Sequence, residues 1–495
     1  MSLADKTVRG SAWIIATSIG ARIIGVVGTL VLTRFLAPDA YGEVQAASVV
    51  VATASQLSTV GMGQYVIAHP DADRSVAFHA TFYHLLLGAL ALGALLVARP
   101  YVGHLVGSEG IGPFLPGLVV SVMLDRLAFM PERVMVRDMR FRQLGIARTA
   151  SEIAYTVASL AGAVSGWGGF AIVAGNIARS VVRLGMMVGA STLRDWLSFS
   201  PIRWNTSRTL FAFGLPLSVG ASASYASRRW DNLVVSALFG PAVLGAYNLA
   251  YNLADVPAVQ VGEQISDVLL PSFARIEEER RIPALVRSLS LLSLIMAPLA
   301  IGLGAVANTL VRALFDARWA SVGPMLAVLS ALSVTRPVGA VIWSYLQSRG
   351  RPRAVMALEC LKLVLLLGSL ILLGRLGPLW ACGAVGLAFF VHTWLSLWVV
   401  HRAEPLPVGK LLRGLIAPVI ATIPMVAAVL AVRAGHVALG VPPALGVLLE
   451  VVVGGIAYVP SAYLLAPAVT RDVVSLAMGL IRKRSGGKTV AAAQP

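Results

Sequence analysis

Three arginines lie near the middle of long apolar stretches of the sequence: Arg22, Arg179 and Arg183. Asn176 lies three residues before Arg179, and Arg183 lies four residues after it. At this spacing the three side chains share one face of a helix. A charge at the centre of a membrane helix costs about 2.5–3.5 kcal/mol, and such a side chain is therefore expected to face a cavity or a partner. Two like charges at this spacing repel unless an anion lies between them. The arrangement predicts a cavity for an anionic substrate.

A later apolar stretch carries a complementary polar stripe. Asn248, Asn252 and Asp255 fall at positions i, i+4 and i+7, again on one helix face. One interpretation is a coupling-ion site or a contact with a substrate sugar. The other is hydrogen bonding between helices, which is common for asparagine in membranes. The sequence leaves both open.

Arg228 and Arg229 occupy another apolar stretch, with Asp231 close behind them. The alternative to a binding role is that intramembrane arginines are neutralised by acids or point at lipid headgroups. Arg228 with Asp231, and Glu359 with Lys362, are helical neighbours that could pair internally. The candidate acids within apolar stretches are Glu43, Asp125, Glu152, Asp231, Asp255, Glu263, Asp267, Glu359 and Glu450.

The elements that must position these charges are membrane helices. Of 495 residues, 57% are hydrophobic and only 13% are charged, which excludes a soluble or a disordered chain. Apolar windows of about 20 residues recur throughout, each long enough to cross a bilayer. We predict an all-α integral membrane protein with fourteen spans: 10–36, 41–67, 78–98, 111–130, 145–166, 168–190, 210–238, 241–270, 288–311, 320–347, 354–373, 378–400, 411–433 and 441–466.

The basic residues predict the orientation of these spans. With a cytoplasmic amino end, 26 of the 40 lysines and arginines fall on the cytoplasmic side and five on the opposite side. This bias is the positive-inside pattern and predicts that both termini are cytoplasmic. The remaining nine basic residues lie inside the spans, and the substrate hypothesis rests on these. The net charge of +17 is therefore largely a matter of topology.

An internal repeat organises the chain into lobes. Residues 35–47 (FLAPDAYGEVQAA) and 238–250 (LFGPAVLGAYNLA) align at a constant shift, which matches Pro38 with Pro241, Gly42 with Gly245 and Ala47 with Ala250. Six spans separate the copies, so the repeat is parallel, with a pseudo-twofold axis along the membrane normal. The predicted domains are an N-lobe (1–190), a cytoplasmic linker (191–209), a C-lobe (210–400), two appended helices (401–466) and a basic cytoplasmic tail (467–495).

The second half resembles a known family. RRWDNLVVSALFGPAVLGAYNLAYNLADVP (228–257) and VLLPSFARIEEE (268–279) are similar to bacterial polysaccharide flippases of the colanic acid exporter type, as is PERVMVRDMRFRQLGIAR (131–148). These exporters belong to the multidrug/oligosaccharidyl-lipid/polysaccharide exporter superfamily. The resemblance implies two six-helix lobes around a V-shaped cavity. It also implies alternating access and an undecaprenyl-diphosphate-linked oligosaccharide as substrate, moved from the cytoplasmic to the outer leaflet of the inner membrane.

Arg22 matches the first-span arginine of related flippases for lipid-linked peptidoglycan precursors. The resemblance thus implies a diphosphate contact for Arg22. We expect Arg179, Arg183 and either Arg228 or Arg229 to hold the diphosphate as well, from their positions inside the spans, because guanidinium forks suit phosphate oxygens. An ion gradient or the membrane potential supplies the energy, with Asp255 the first candidate for a coupling carboxylate and Glu152 the second. Membrane lipids, the polysaccharide polymerase and the export machinery are the expected partners.

Two rival functions remain. A multidrug exporter shares the scaffold, but drug exporters typically carry a carboxylate in the first span, and this chain has none between Asp5 and Asp39. A membrane enzyme is disfavoured by short outer connections and by the lack of an HExxH-type motif among the seven histidines. Two cysteines inside apolar stretches predict neither a disulfide framework nor a metal site, and we expect no cofactor.

Overall fold

The computed structural model describes residues 20, 24–25, 27–69, 73–256, 273, 276–473 and 475, and the regular elements in these ranges are helices. In chain order they are α1 (27–35), α2 (Pro38–Leu57), α3 (Met62–Ala68), α4 (Arg74–Leu105), α5 (Leu115–Arg137), α6 (Phe141–Val164), α7 (Phe170–Ala190), α8 (Trp204–Phe239), α9 (241–256), α10 (Glu278–Leu314), α11 (Val322–Leu332), α12 (Thr335–Ser348), α13 (Pro352–Gly374), α14 (Pro378–Ala403), α15 (Val408–Ile420), α16 (Thr422–Ala438) and α17 (Pro443–Leu465).

The predicted all-helical membrane fold is confirmed. Ten helical segments of the described chain are long and apolar enough to cross a membrane, or eleven if the bent pair α2–α3 counts as one span. Of the other three predicted spans, 145–166 coincides with the more polar helix α6, while 10–36 and 241–270 lie partly outside the described residues. The count of fourteen therefore stays a prediction.

The pair α2–α3 is a broken span with a bend of 58°. A break leaves the last carbonyl groups of α2 without partners in the helix. Arg126 of α5 lies against this break and is almost fully buried. Its guanidinium donates to the carbonyl oxygen of Ser55 at 2.5 Å and to the hydroxyl of Ser58. This intramembrane arginine therefore has a structural role.

The chain divides into two compact units, Met1–Asn248 and Leu249–Pro495. In the first unit α7 packs on α5 and α6, and α8 packs on α2, α3 and α4. In the second unit α10 contacts α11, α15 and α17, and α14 contacts α11, α12 and α13. The core of this second unit includes Leu289 of α10 with Val341 and Tyr345 of α12.

The division differs from the predicted lobe boundary at 191–209, because α8 packs closely on the N-terminal helices. The amide of Gly61 donates to the Ser218 hydroxyl at 2.8 Å and to the carbonyl oxygen of Gly214 at 3.3 Å. A hydrophobic surface buried between α8 and α2–α4 makes the helix part of the first unit. The predicted five-part division stays a prediction.

The two copies of the internal repeat touch each other within the first unit. A Cβ atom added to Gly42 of α2 would collide with the carbonyl of Pro241, and one added to Gly245 of α9 would collide with the carbonyl of Pro38. The two contacts are reciprocal: each repeat copy presents a glycine to the proline carbonyl of the other. Only glycine permits so close an approach of two backbones. The aligned glycines therefore form a symmetric crossing of α2 and α9.

Candidate functional site

The polar stripe predicted on one face of a helix is present on α7. Arg179 donates to the side-chain oxygen of Asn176, whose amide nitrogen in turn donates to the Ile172 carbonyl at 2.9 Å. The guanidinium of Arg179 lies 3.7 Å from a carboxylate oxygen of Glu152 and over the ring of Tyr155, at 5.1 Å from its centroid. Glu152 and Tyr155 both come from α6. Asn176, Arg179 and Glu152 thus form one cluster.

Arg183 lies one turn further along α7 and pairs with two carboxylates of α5. Its guanidinium is 3.1 Å from an oxygen of Asp125 and donates also to Glu132. The side chains of Arg179 and Arg183 are each 35% exposed. Since two arginines face three carboxylates, the stripe is charge-compensated. The two arginine side chains nevertheless stay partly exposed.

Glu132 was not among the candidate acids of the sequence. It follows Asp125 by seven residues, two helical turns, so the two carboxylates lie on the same face of α5. That spacing is a signal the sequence contained. Arg133 beside it places its guanidinium over the ring of Phe129, 4.6 Å from the centroid.

Arg22 lies outside the described residues. The described Gly25 follows it by three positions, and a Cβ atom at Gly25 would lie 3.8 Å from a carboxylate oxygen of Glu152. A Cβ atom at Gly28 would lie 2.8 Å from the methyl carbon of Thr156, so Gly25 and Gly28 both lie against α6. Arg22 as a substrate contact stays a prediction.

Arg228 and Asp231 of α8 lie in different environments. Arg228 is exposed and donates to the Ser224 hydroxyl at 2.7 Å, and Arg229 is exposed beside it. Asp231 is buried and accepts hydrogen bonds from the Tyr247 hydroxyl at 2.6 Å and from Asn232 at 3.0 Å.

The Asp231 network extends through Asn248 of α9. The amide of Asn248 donates to the Asn232 side chain at 2.9 Å, and its oxygen lies 3.5 Å from the Tyr41 hydroxyl of α2. These contacts fit the interpretation of Asn248 as a hydrogen-bonding residue between helices. Asn252, one turn further, is exposed.

The second unit holds a more enclosed charge pair. Asp255 of α9 accepts from Arg336 of α12 at 2.7 Å, and the Arg336 side chain is only 10% exposed. Its guanidinium lies between two rings, 4.4 Å from the centroid of Tyr251 and 4.7 Å from that of Phe389. Arg336 is one of the nine basic residues inside the predicted spans, but the sequence did not distinguish it as the partner of Asp255.

A further intramembrane pair is confirmed on α13. The ammonium group of Lys362 lies 2.6 Å from a Glu359 oxygen, as the helical spacing of the two residues predicted. The same ammonium group lies 5.9 Å from the ring centroid of Phe389. The described part of the chain contains no group of three or more His, Cys, Asp or Glu residues that could hold a metal ion.

Comparisons with known proteins agree with this architecture. A family model described as "Polysaccharide biosynthesis protein" matches residues 31–324. The chain is 24% identical to the lipopolysaccharide biosynthesis protein WzxC of Escherichia coli K12, over 81% of this chain and 82% of that protein. It is 26% identical to the succinoglycan biosynthesis transport protein ExoT of Rhizobium meliloti, over 86% and 85%.

Solved structures with a similar fold are membrane transporters. The lipid II flippase MurJ in an inward closed conformation superposes with a TM-score of 0.75 at 12% identity, covering 93% of this chain and all of that one. An inward-facing multidrug resistance transporter of the MATE family gives a TM-score of 0.59 at 16% identity, covering 77% and 94%. At these identities the likeness establishes the fold.

Proposed function

This chain belongs to the polysaccharide biosynthesis protein family, and we propose that it is a flippase for lipid-linked oligosaccharides. The substrate is an undecaprenyl-diphosphate-linked repeat unit, carried from the cytoplasmic to the outer leaflet for surface polysaccharide synthesis. The protein is a multi-pass membrane transporter and not an enzyme, in keeping with its transport-protein relatives. Alternating access moves the sugar through a polar path while the polyprenyl tail stays in lipid.

The observation that carries the proposal is the accessible, charge-compensated stripe of α7. Asp125 and Glu132 hold Arg183, and Glu152 holds Arg179. A diphosphate replaces these carboxylates as the acceptor, because it presents more negative charge and several oxygens in a geometry that matches guanidinium donors. The released carboxylates are then free to be hydrated or to take up protons. Substrate binding is thereby linked to the protonation of these carboxylates.

We expect Arg22, Arg228 and Arg229 to contribute further positive charge to binding of the diphosphate. The exposed position of Arg228 and Arg229 on α8 is compatible with a ligand contact. Glu152 contacts Arg179 and also lies 3.8 Å from a Cβ atom added at Gly25.

Energy comes from an ion gradient or the membrane potential. Asp255 is the first candidate for the coupling carboxylate, since a proton on it would remove the charge that balances Arg336. Glu152 is the second. The basic-residue bias supports a location in the bacterial cytoplasmic membrane with both termini inside, and the polysaccharide polymerase is the expected downstream partner.

A multidrug exporter is the second candidate, because the MATE fold is similar. The first predicted span opposes it, since drug exporters of this superfamily typically carry a carboxylate there and this chain has none between Asp5 and Asp39. A drug-susceptibility profile that changes on deletion while surface polysaccharide stays normal would favour the exporter.

A deletion strain tests the flippase directly. Loss of the gene is expected to abolish a surface polysaccharide and to accumulate lipid-linked repeat units on the cytoplasmic leaflet, measured by extraction and accessibility to a glycan-modifying enzyme. Complementation with Arg22→Ala is expected to restore protein level but not export, with Arg22→Lys less impaired. Normal polysaccharide in a deletion strain that carries no second flippase would contradict the proposal.

A further inference from the structure

A cavity of about 460 Å³ lies at one end of the second unit, away from the charges considered so far. It is formed where α10 and α16 end and α17 begins. Its polar lining comes from Asn308 and Arg312 of α10 and from Arg433 and His436 of α16. No proposed step of substrate translocation uses these residues.

A buried carboxylate binds three of the residues that line this cavity. Glu450 of α17 is fully buried and accepts hydrogen bonds from Arg433 at 2.9 and 3.0 Å, from the Thr309 hydroxyl at 2.7 Å and from the Nε2 side of His436 at 2.9 Å. Arg433 also donates to the carbonyl oxygen of Ala305. Four hydrogen bonds to one buried carboxylate hold the Arg433 side chain in one orientation. The Arg433 guanidinium is thus pre-positioned at the cavity, where 21% of its side chain is exposed.

The cavity carries a net positive charge. Glu450 balances Arg433, whereas exposed Arg312 has no carboxylate within 4.0 Å in the ranges that the structure covers. The first N–H groups of α17, which have no partners within the helix, add a partial positive charge at the same end. His436 is 5% exposed, and its Nδ1 atom has no hydrogen-bond partner among the described residues. These features together favour an anionic ligand.

The position of the two arginines is unusual for the orientation we propose. Arg312 and Arg433 are two of only five basic residues on the predicted non-cytoplasmic side, and they come from distant parts of the sequence. The positive-inside bias disfavours arginines there unless they have a specific use. Their meeting at one cavity points to a ligand on the outer face.

We propose that this cavity binds the phosphate group of an anionic lipid headgroup in the outer leaflet. The cavity volume suits a phosphate with a small polar substituent, and Arg312, Arg433 and the Asn308 amide supply the donors. Arg–phosphate contacts are among the strongest hydrogen bonds available to a protein. The inference rests on the proposed orientation for the identity of the leaflet, but the phosphate chemistry does not depend on it.

The test measures lipid retention by the purified full-length protein with native mass spectrometry. The probes are phosphatidylglycerol and, as a neutral control, diacylglycerol with the same acyl chains. Retention of phosphatidylglycerol is expected to fall about tenfold or more in Arg312→Ala, which removes one charge-assisted hydrogen bond. Arg318→Ala is the matched control, because Arg318 is also exposed on the same predicted side but pairs with Asp316 at 2.6 Å.

Competition with inorganic phosphate distinguishes a site for a lipid phosphate from a site for free phosphate. Displacement by phosphate at lipid-like concentrations would assign the site to free phosphate and overturn the lipid identity. Equal retention of phosphatidylglycerol by the wild type, Arg312→Ala and Arg312→Glu would overturn the site altogether. Binding by purified protein is independent of the deletion phenotype, so failure here and failure of the flippase proposal are separate results.

Discussion

The arginine pairs of the two units differ in how much of each guanidinium is accessible. On α7 in the first unit, Arg179 and Arg183 are 35% exposed and share three carboxylates. In the second unit, Arg336 is 10% exposed, has Asp255 as an ion-pair partner and lies between two aromatic rings. An accessible pair can exchange its carboxylate for a ligand, whereas an enclosed pair stabilises one arrangement of its helices. The pairs on α7 thus suit the exchange of a carboxylate for a ligand, whereas the Arg336–Asp255 pair holds α9 and α12 together.

The largest expected effect is at the enclosed pair. Arg336→Ala leaves the Asp255 carboxylate without its ion-pair partner and removes the cation–ring contacts, so the free energy of unfolding should fall by about 3–5 kcal/mol. Thermal unfolding of the purified protein and its amount in membranes measure this. The double variant Arg336→Ala/Asp255→Ala should recover most of the loss. An Arg336→Ala protein as stable as the wild type would show that the enclosed Arg336–Asp255 pair does not stabilise the fold.

A smaller effect on stability but a large one on export is expected at the accessible pair. The Arg183 side chain is 35% exposed, against 10% for Arg336, so Arg183→Ala should lower the free energy of unfolding by less than Arg336→Ala does. Surface polysaccharide in a complemented deletion strain should nevertheless fall at least tenfold, because a phosphate contact is lost. Arg318→Ala, at an exposed ion pair, is the control and should export normally. Unfolding of Arg183→Ala to the degree expected for Arg336→Ala would remove the distinction between the units.

The smallest effect is expected at an ion pair just after the end of α14. Glu404 accepts from the Tyr345 hydroxyl at 2.6 Å and from Arg349 at 2.7 Å. Burial raises the pKa of the Glu404 carboxyl, but these hydrogen bonds together outweigh burial and hold it below the ordinary value. The stabilisation is complete above about pH 4.3, the pKa of an unfolded glutamate, and is lost as the pH falls through the lower folded pKa.

Glu404→Gln should therefore lower the unfolding temperature slightly near neutral pH and reduce the acid dependence of stability. Unfolding temperatures of the wild type and Glu404→Gln across acidic buffers measure this. If the difference in unfolding temperature between the wild type and Glu404→Gln were the same at every pH, Glu404 would not titrate as described. Export should be unchanged, in contrast to Arg183→Ala.

Local patterns could be predicted from the sequence, and contacts between distant helices could not. The shared face of Asn176, Arg179 and Arg183 and the pair Glu359–Lys362 follow from helical spacing alone. The partner of Asp255 lies 81 residues away, and nothing in the local spacing distinguishes Arg336 from other basic residues. Arg126 hydrogen-bonds a break between α2 and α3, and only the tertiary structure reveals this contact.

The reciprocal crossing of Gly42 and Gly245 has a consequence for synthesis in the cell. The two glycines are 203 residues apart, so α2 is made long before its partner surface on α9 exists. At about 5–20 residues per second, the ribosome needs roughly 10–40 s to reach the second glycine. Until then, the glycine face of α2 can contact only lipid or helices that precede α9 in the chain. The crossing must therefore form late in biogenesis, after most of the first unit has already entered the membrane.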